Sequence, residues 1–115
     1  RNRRMETGFL PHRPGHPEAI NADSFEEDVL ESPVPVLVEF WAARCAACRR
    51  LAPELAALGV TVFTVNVDEE LSLAVRCNVT ALPTTLAFSD GVEKGRYVGL
   101  PSRQELMALA GTIGL

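Results

Sequence analysis

Trp41-Ala42-Ala43-Arg44-Cys45-Ala46-Ala47-Cys48-Arg49-Arg50 decides how this chain folds, because two thiols stand three residues apart where an apolar strand pattern gives way to a helical one. Upstream, Val34 to Trp41 reads as a buried strand. Val36, Leu37, Val38, Phe40 and Trp41 are apolar, β-branched or aromatic, with the single charge of Glu39 among them. Downstream, Ala46, Ala47, Leu51, Ala52, Leu55, Ala56 and Leu58 are good helix formers at three- and four-residue spacing, and Gly59 supplies the stop. In the first turn of a helix, positions i and i+3 are surface neighbours, so the sulfurs of Cys45 and Cys48 can reach bonding distance without unwinding the chain.

That placement has a chemical consequence. Cys45 faces the unpaired amides and positive dipole end of the predicted helix, which favour thiolate, the nucleophilic form. Arg44, Arg49 and Arg50 add positive charge at the same point. The expected roles are attack on a disulfide by Cys45 and resolution of the mixed disulfide by Cys48, one turn deeper. The competing reading of the pair is a zinc half-site, with His12 and His16 completing a tetrahedral set. Pro14-Gly15 opposes the helix that normally presents such histidines.

Working outward, the chain of 115 residues, 47% of them apolar, suffices for one core. No apolar run approaches the length of a membrane span. Arg1-Asn2-Arg3-Arg4 is basic, but polar and proline-broken sequence follows, so the segment does not read as an export signal. A net charge of −4 argues against a general nucleic-acid binder. Three cysteines are too few for a disulfide-stapled scaffold and fit redox chemistry in a reducing compartment, so a cytoplasmic protein is expected. Cys77 reads most simply as a small buried hydrophobe.

The remaining segments alternate strands and helices. Residues 1–17 read as a basic, proline-rich arm and residues 18–115 as the folded domain. Glu18 to Asn21 suggests a short edge strand. Ser24 and Glu27 have capping-box spacing, predicting a helix that starts at Ser24 and runs to about Glu31. Val60 to Val67 is rich in β-branched residues and predicts a strand. Asp68-Glu69-Glu70 is read as the solvated acidic start of a helix reaching about Cys77. Thr84 to Phe88 and Gly95 to Val98 flank the hairpin turn Asp90-Gly91, and Ser102 with Glu105 forms a capping box before a C-terminal helix. Strands joined through a helix run parallel and a hairpin pairs antiparallel, which predicts an α/β fold with a mixed sheet and helices on both faces.

Several separated motifs, in order over roughly residues 20–113, resemble the thioredoxin family. VLVEFWA followed by C-x-x-C is similar to that family's active-site strand and loop, and Pro53 stands where its active-site helix carries a proline. Ala81-Leu82-Pro83-Thr84 resembles the cis-proline loop, Phe88 to Gly91 the hairpin turn, and Tyr97-Val98-Gly99 the glycine segment bordering the substrate groove. The resemblance implies a thioredoxin fold, a central mixed β-sheet of four to five strands. It also implies reduction of protein disulfides through Cys45 and Cys48, without organic cofactor or metal. Trp41 would shield the site. Leu82, Pro83 and Gly99, with Ala81 beside them, would line a groove that binds extended peptides through backbone hydrogen bonds.

The implied partners are protein disulfides and a thioredoxin-reductase-like or dithiol electron donor, with no nucleic acid or membrane, and a monomer is expected. Some family members oxidise an extra cysteine at the position of Cys77 or dimerise through it. Five positions differ from the common pattern. Ala46-Ala47 replaces Gly-Pro, a pair that tunes redox poise in the family. Arg44 replaces a Trp and should favour acidic substrates. Glu39 and Thr64 replace a buried Asp and its Lys partner. Glu39, an inward acid on a central strand, is therefore the expected proton acceptor for Cys48. A disulfide oxidase or isomerase, distinguished by reduction potential, and a peptide-binding assembly module, distinguished by its indifference to loss of both cysteines, are the alternative readings.

Overall fold

The computed structural model describes residues 16–115; the arm and His12 lie almost wholly or wholly outside that range. Five strands form one mixed sheet in the order β1-β3-β2-β4-β5: β1 Glu18–Ala19, β2 Val36–Trp41, β3 Thr61–Asn66, β4 Thr84–Ser89 and β5 Val92–Val98. β1 and β2 both run parallel to β3, whereas β2–β4 and β4–β5 are antiparallel. Four helical segments cover it: α1, Ala22–Phe25 continued by the π-helical turn Glu26–Leu30; α2, Ala46–Ala57; α3, Leu71–Arg76; and α4, Arg103–Gly111.

Alternation along β2 builds the core on both faces. Val36, Val38 and Phe40 pack with Phe25 and Val29 of α1 and Leu73 and Ala74 of α3. Leu37 packs on the other side with Val62, Leu51 and Leu55 of α2, and Leu106 and Leu109 of α4. The same alternation sends Glu39 and Trp41 to the face covered by α2. Burial on both faces explains why β2 reads as a nearly unbroken apolar run.

Most expected elements are present, and four boundaries need correction. α1 starts at Ala22 with Asn21 as N-cap, and Ser24 is the third helical residue of the box. The Ser24 amide donates to Asn21 Oδ1 at 2.9 Å and the Asn21 amide to Ser24 Oγ at 3.1 Å. The short Asn side chain caps the first turn three residues earlier than Ser24 would. The acidic run Asp68–Glu70 precedes α3, with Glu70 at its N-cap, and Glu70 Oε1 accepts the Ala22 amide at 3.1 Å. β5 begins at Val92 because cross-strand pairing to Phe88 and Ser89 carries the polar Glu93 and Lys94 on an edge strand. The expected edge strand at Glu18 to Asn21 is confined to Glu18–Ala19.

Candidate active site

The C-terminal ends of β2 and β3 lie beside the N-terminal end of β4, since Trp41 pairs with Asn66 and Phe40 with Thr84. The cysteine loop after β2, the Asp68 loop after β3 and Ala81-Leu82-Pro83 before β4 all lie at this end of the sheet. The Val67 amide donates to the Trp41 carbonyl at 2.9 Å and ties the first two loops together.

Cys45 is the N-cap of α2 and is bonded to Cys48 as a disulfide, with a Cα–Cα distance of 5.3 Å. Its extended backbone ends the loop, the Cys45 amide donates to the Ala42 carbonyl at 3.0 Å, and the Cys48 amide donates to Cys45 Sγ at 3.1 Å. Cys45 is half-buried whereas Cys48 is 2% exposed. An incoming sulfur therefore meets Cys45 first. Among the described residues no group of three His, Cys, Asp or Glu could hold a metal, and His12, which the zinc reading needs, lies outside them.

Glu39 lies beneath the pair, 3% exposed. Thr64 of β3 and Thr85 of β4 stand opposite it in the register. Neither Glu39 Oε2 nor Thr85 Oγ1 has a hydrogen-bond partner among the described residues. Burial without a compensating charge penalises the ionised form and pushes the Glu39 carboxyl up from 4.5 to about 7. Glu39 and Cys48 line one pocket of about 260 Å³, together with Trp41, Arg49, Ala52 and Thr64.

Pro83 follows a cis Leu82–Pro83 bond. Its carbonyl accepts the Gly99 amide at 2.7 Å, and Gly99 has a φ of +101°. Thr84 Oγ1 donates to the Ala81 carbonyl at 2.7 Å and holds the loop from within. Thus Leu82, Pro83 and Gly99 are brought to one margin, at the sheet end that carries the disulfide. Arg44 is exposed beside Cys45, and its Nη1 lies 2.6 Å from both Asp68 oxygens.

Sequence reasoning treated Asp68 as a solvated helix start and counted Arg49 only as positive charge near the cysteines; the Arg49 Nη1 donates to the Ala43 carbonyl at 2.7 Å, and the residue also borders the Glu39 pocket. Only the parallel pairing of β2 with β3 places Asp68 against Arg44, 24 residues away, so no local pattern could have found it. For Arg49 a signal existed: it sits one residue past Cys48 and three before Ala52 on the same helix.

This architecture is shared by known proteins. The family model described as Thioredoxin matches residues 16–111. A thioredoxin of Rickettsia bellii is 37% identical over 94 residues, covering 76% of this chain and 90% of that protein. One from Mycolicibacterium smegmatis is 39% identical over 97 residues, covering 77% of this chain and 87% of that protein. The solved structure of the N21Q mutant thioredoxin from Halobacterium salinarum NRC-1 superposes with a TM-score of 0.79 at 27% identity, covering 94% of this chain and 98% of that one. With its helix-capping cysteine pair, mixed five-stranded sheet and matching sequence over most of its length, the chain belongs to the thioredoxin family.

Proposed function

We propose that this protein is a protein-disulfide reductase in which Cys45 is the attacking sulfur, Cys48 the resolving sulfur and Glu39 the acceptor of the Cys48 proton. The observation that carries the reading is the asymmetry of the pair: one sulfur at the helix cap within reach of solvent, the other buried one turn deeper beside a carboxyl. In the reduced protein the Cys45 thiolate, held by the Cys48 amide and the positive end of α2, attacks a substrate disulfide and expels one substrate thiolate. Cys48 then gives its proton to Glu39 and attacks Cys45 Sγ, releasing the second substrate sulfur and forming the Cys45–Cys48 disulfide. Two electrons pass from the protein dithiol to the substrate, and no cofactor enters the balance. A carboxyl titrating near 7 suits proton acceptance at neutral pH.

Trp41 would cover the pair, and the margin formed by Leu82, Pro83 and Gly99 would receive the substrate backbone as an added strand. Arg44 would favour substrates with an acidic residue beside the target cysteine, in competition with Asp68. A thioredoxin-reductase-like enzyme or another dithiol would restore the reduced state, and the chain would act as a monomer in electron transport and redox homeostasis of the cytoplasm. No helix among the described residues is long and apolar enough to cross a membrane. The exchange chemistry belongs to residues 18–115, with residues 1–17 as an appended arm.

Insulin reduction tests the assignment. Cys45→Ser should abolish catalysed reduction of insulin disulfides in the presence of a dithiol donor, and Glu39→Gln should slow release of the mixed disulfide around neutral pH. Reduction at the parent rate by Cys45→Ser would overturn the reading.

A further inference from the structure

The pocket beneath Cys48 presents an unsolved charge problem. Glu39 is 3% exposed and its Oε2 has no hydrogen-bond partner among the described residues. The elements packed around it offer few groups to answer that charge: Thr64 from β3, Thr85 from β4, and Cys48 and Arg49 from α2. Cys48 is bonded to Cys45 in this form, so of these only Arg49 carries charge, and it is the one cation among the residues lining the pocket. In the disulfide form its side chain is exposed, with a hydrogen bond from Nη1 to the Ala43 carbonyl at 2.7 Å.

We propose that Arg49 is the counter-cation of Glu39, its guanidinium leaving the Ala43 carbonyl to enter the shared pocket and pair with the Glu39 carboxylate whenever that group is ionised. An unpaired carboxylate at this depth is costly, while the contact that Arg49 gives up is a solvent-exposed hydrogen bond of modest net strength. The Arg49 side chain is long, is anchored one residue past Cys48 and already lines the pocket that Glu39 borders. The inference rests on the reading of Glu39 as proton acceptor for its role in the cycle. Before resolution, the carboxylate is held by Arg49. As the Cys48 proton reaches Glu39 and the Cys48 sulfur bonds to Cys45, the carboxyl becomes neutral, the ion pair dissolves, and Arg49 returns to Ala43. The described disulfide form corresponds to that last arrangement. Arg49 is thus a positioning residue, acting on the reaction through Glu39.

The test is the titration of the Glu39 side-chain carboxyl, followed by carbon-detected NMR on the full chain in its disulfide form. Arg49→Gln should move the midpoint to higher pH by roughly half a unit or more, about a threefold change in the acid dissociation constant, since a nearby opposite charge favours the ionised form. Arg50→Gln removes the same charge from the neighbouring position, which does not line the pocket, and should move it far less. An unchanged midpoint in Arg49→Gln, or an equal shift in Arg50→Gln, would overturn the pairing. The proton-acceptor reading fails separately, if Glu39→Gln leaves the pH profile of mixed-disulfide release as it is in the parent.

Discussion

Glu39→Gln should make the oxidised protein more stable, and by an amount that depends on pH. Displacement of the carboxyl from 4.5 to about 7 by burial corresponds to about 3 kcal/mol, at about 1.36 kcal/mol per pH unit. The sign follows from proton linkage. Below pH 4.5 the group is protonated in both folded and unfolded chains and costs nothing. Above it, the unfolded chain ionises while the folded one keeps its proton, so parental stability declines through the window from pH 4.5 to about 7 and the cost is complete above it. Glutamine has nearly the same shape and does not titrate. Urea denaturation of the two oxidised proteins from pH 4 to 8 should therefore give curves that converge at the acid end. They should separate by up to about 3 kcal/mol at the alkaline end, on the order of 10 °C in Tm for a domain of this size. Pairing with Arg49 would relieve part of the cost, which makes that figure a ceiling. A separation that changes by less than about 0.5 kcal/mol across the range would refute the claim that burial holds this carboxyl protonated.

Two other expectations follow from geometry away from the buried acid. The Arg44–Asp68 pair is 65% and 53% exposed at its two side chains, so breaking it should cost little stability. Its effect should appear in substrate choice instead: Asp68→Asn should raise, and Arg44→Gln lower, the kcat/KM ratio for disulfide peptides carrying Glu rather than Lys beside the cysteine, by roughly two- to fivefold. In the hairpin, Gly91 has a φ of +77° and a Cβ there would stand 2.8 Å from the Leu30 carbonyl oxygen. Gly91→Ala should cost about 1–3 kcal/mol in thermal or urea unfolding, with the chemistry of the reduced site unaffected.

Much of this fold could be read from local pattern. The change of period at Cys45 located both β2 and α2, because burial of β2 on both faces leaves an apolar run that a helix-forming segment then interrupts. Asp90-Gly91 was legible as a turn since a two-residue hairpin needs positive φ at both positions, and these are 55° and 77°. The Ser102–Glu105 box begins α4 as its spacing implies. Harder to see was the start of α1, where Asn21 and Ser24 cap each other and Ser24 by itself looks like the first residue. Equally hidden were the groups around Glu39 and Arg44. Their partners come from β3, β4 and the loop after β3, and only the register of a mixed sheet decides which residues face them. Glu39 itself stood out because a charge among the otherwise apolar residues of a buried strand demands an explanation.

The division of labour between the two sulfurs is tested most directly by intact-protein mass spectrometry after mixing each single-cysteine variant with a disulfide-linked peptide. Cys48→Ser should accumulate one peptide thiol on Cys45, because the nucleophile remains and the resolving sulfur is gone. With Cys77→Ser added to both variants to remove the half-buried third thiol, Cys45→Ser should remain largely unmodified, its one remaining thiol buried at 2% exposure. Adduct formation on Cys48 as fast as on Cys45 would contradict the account.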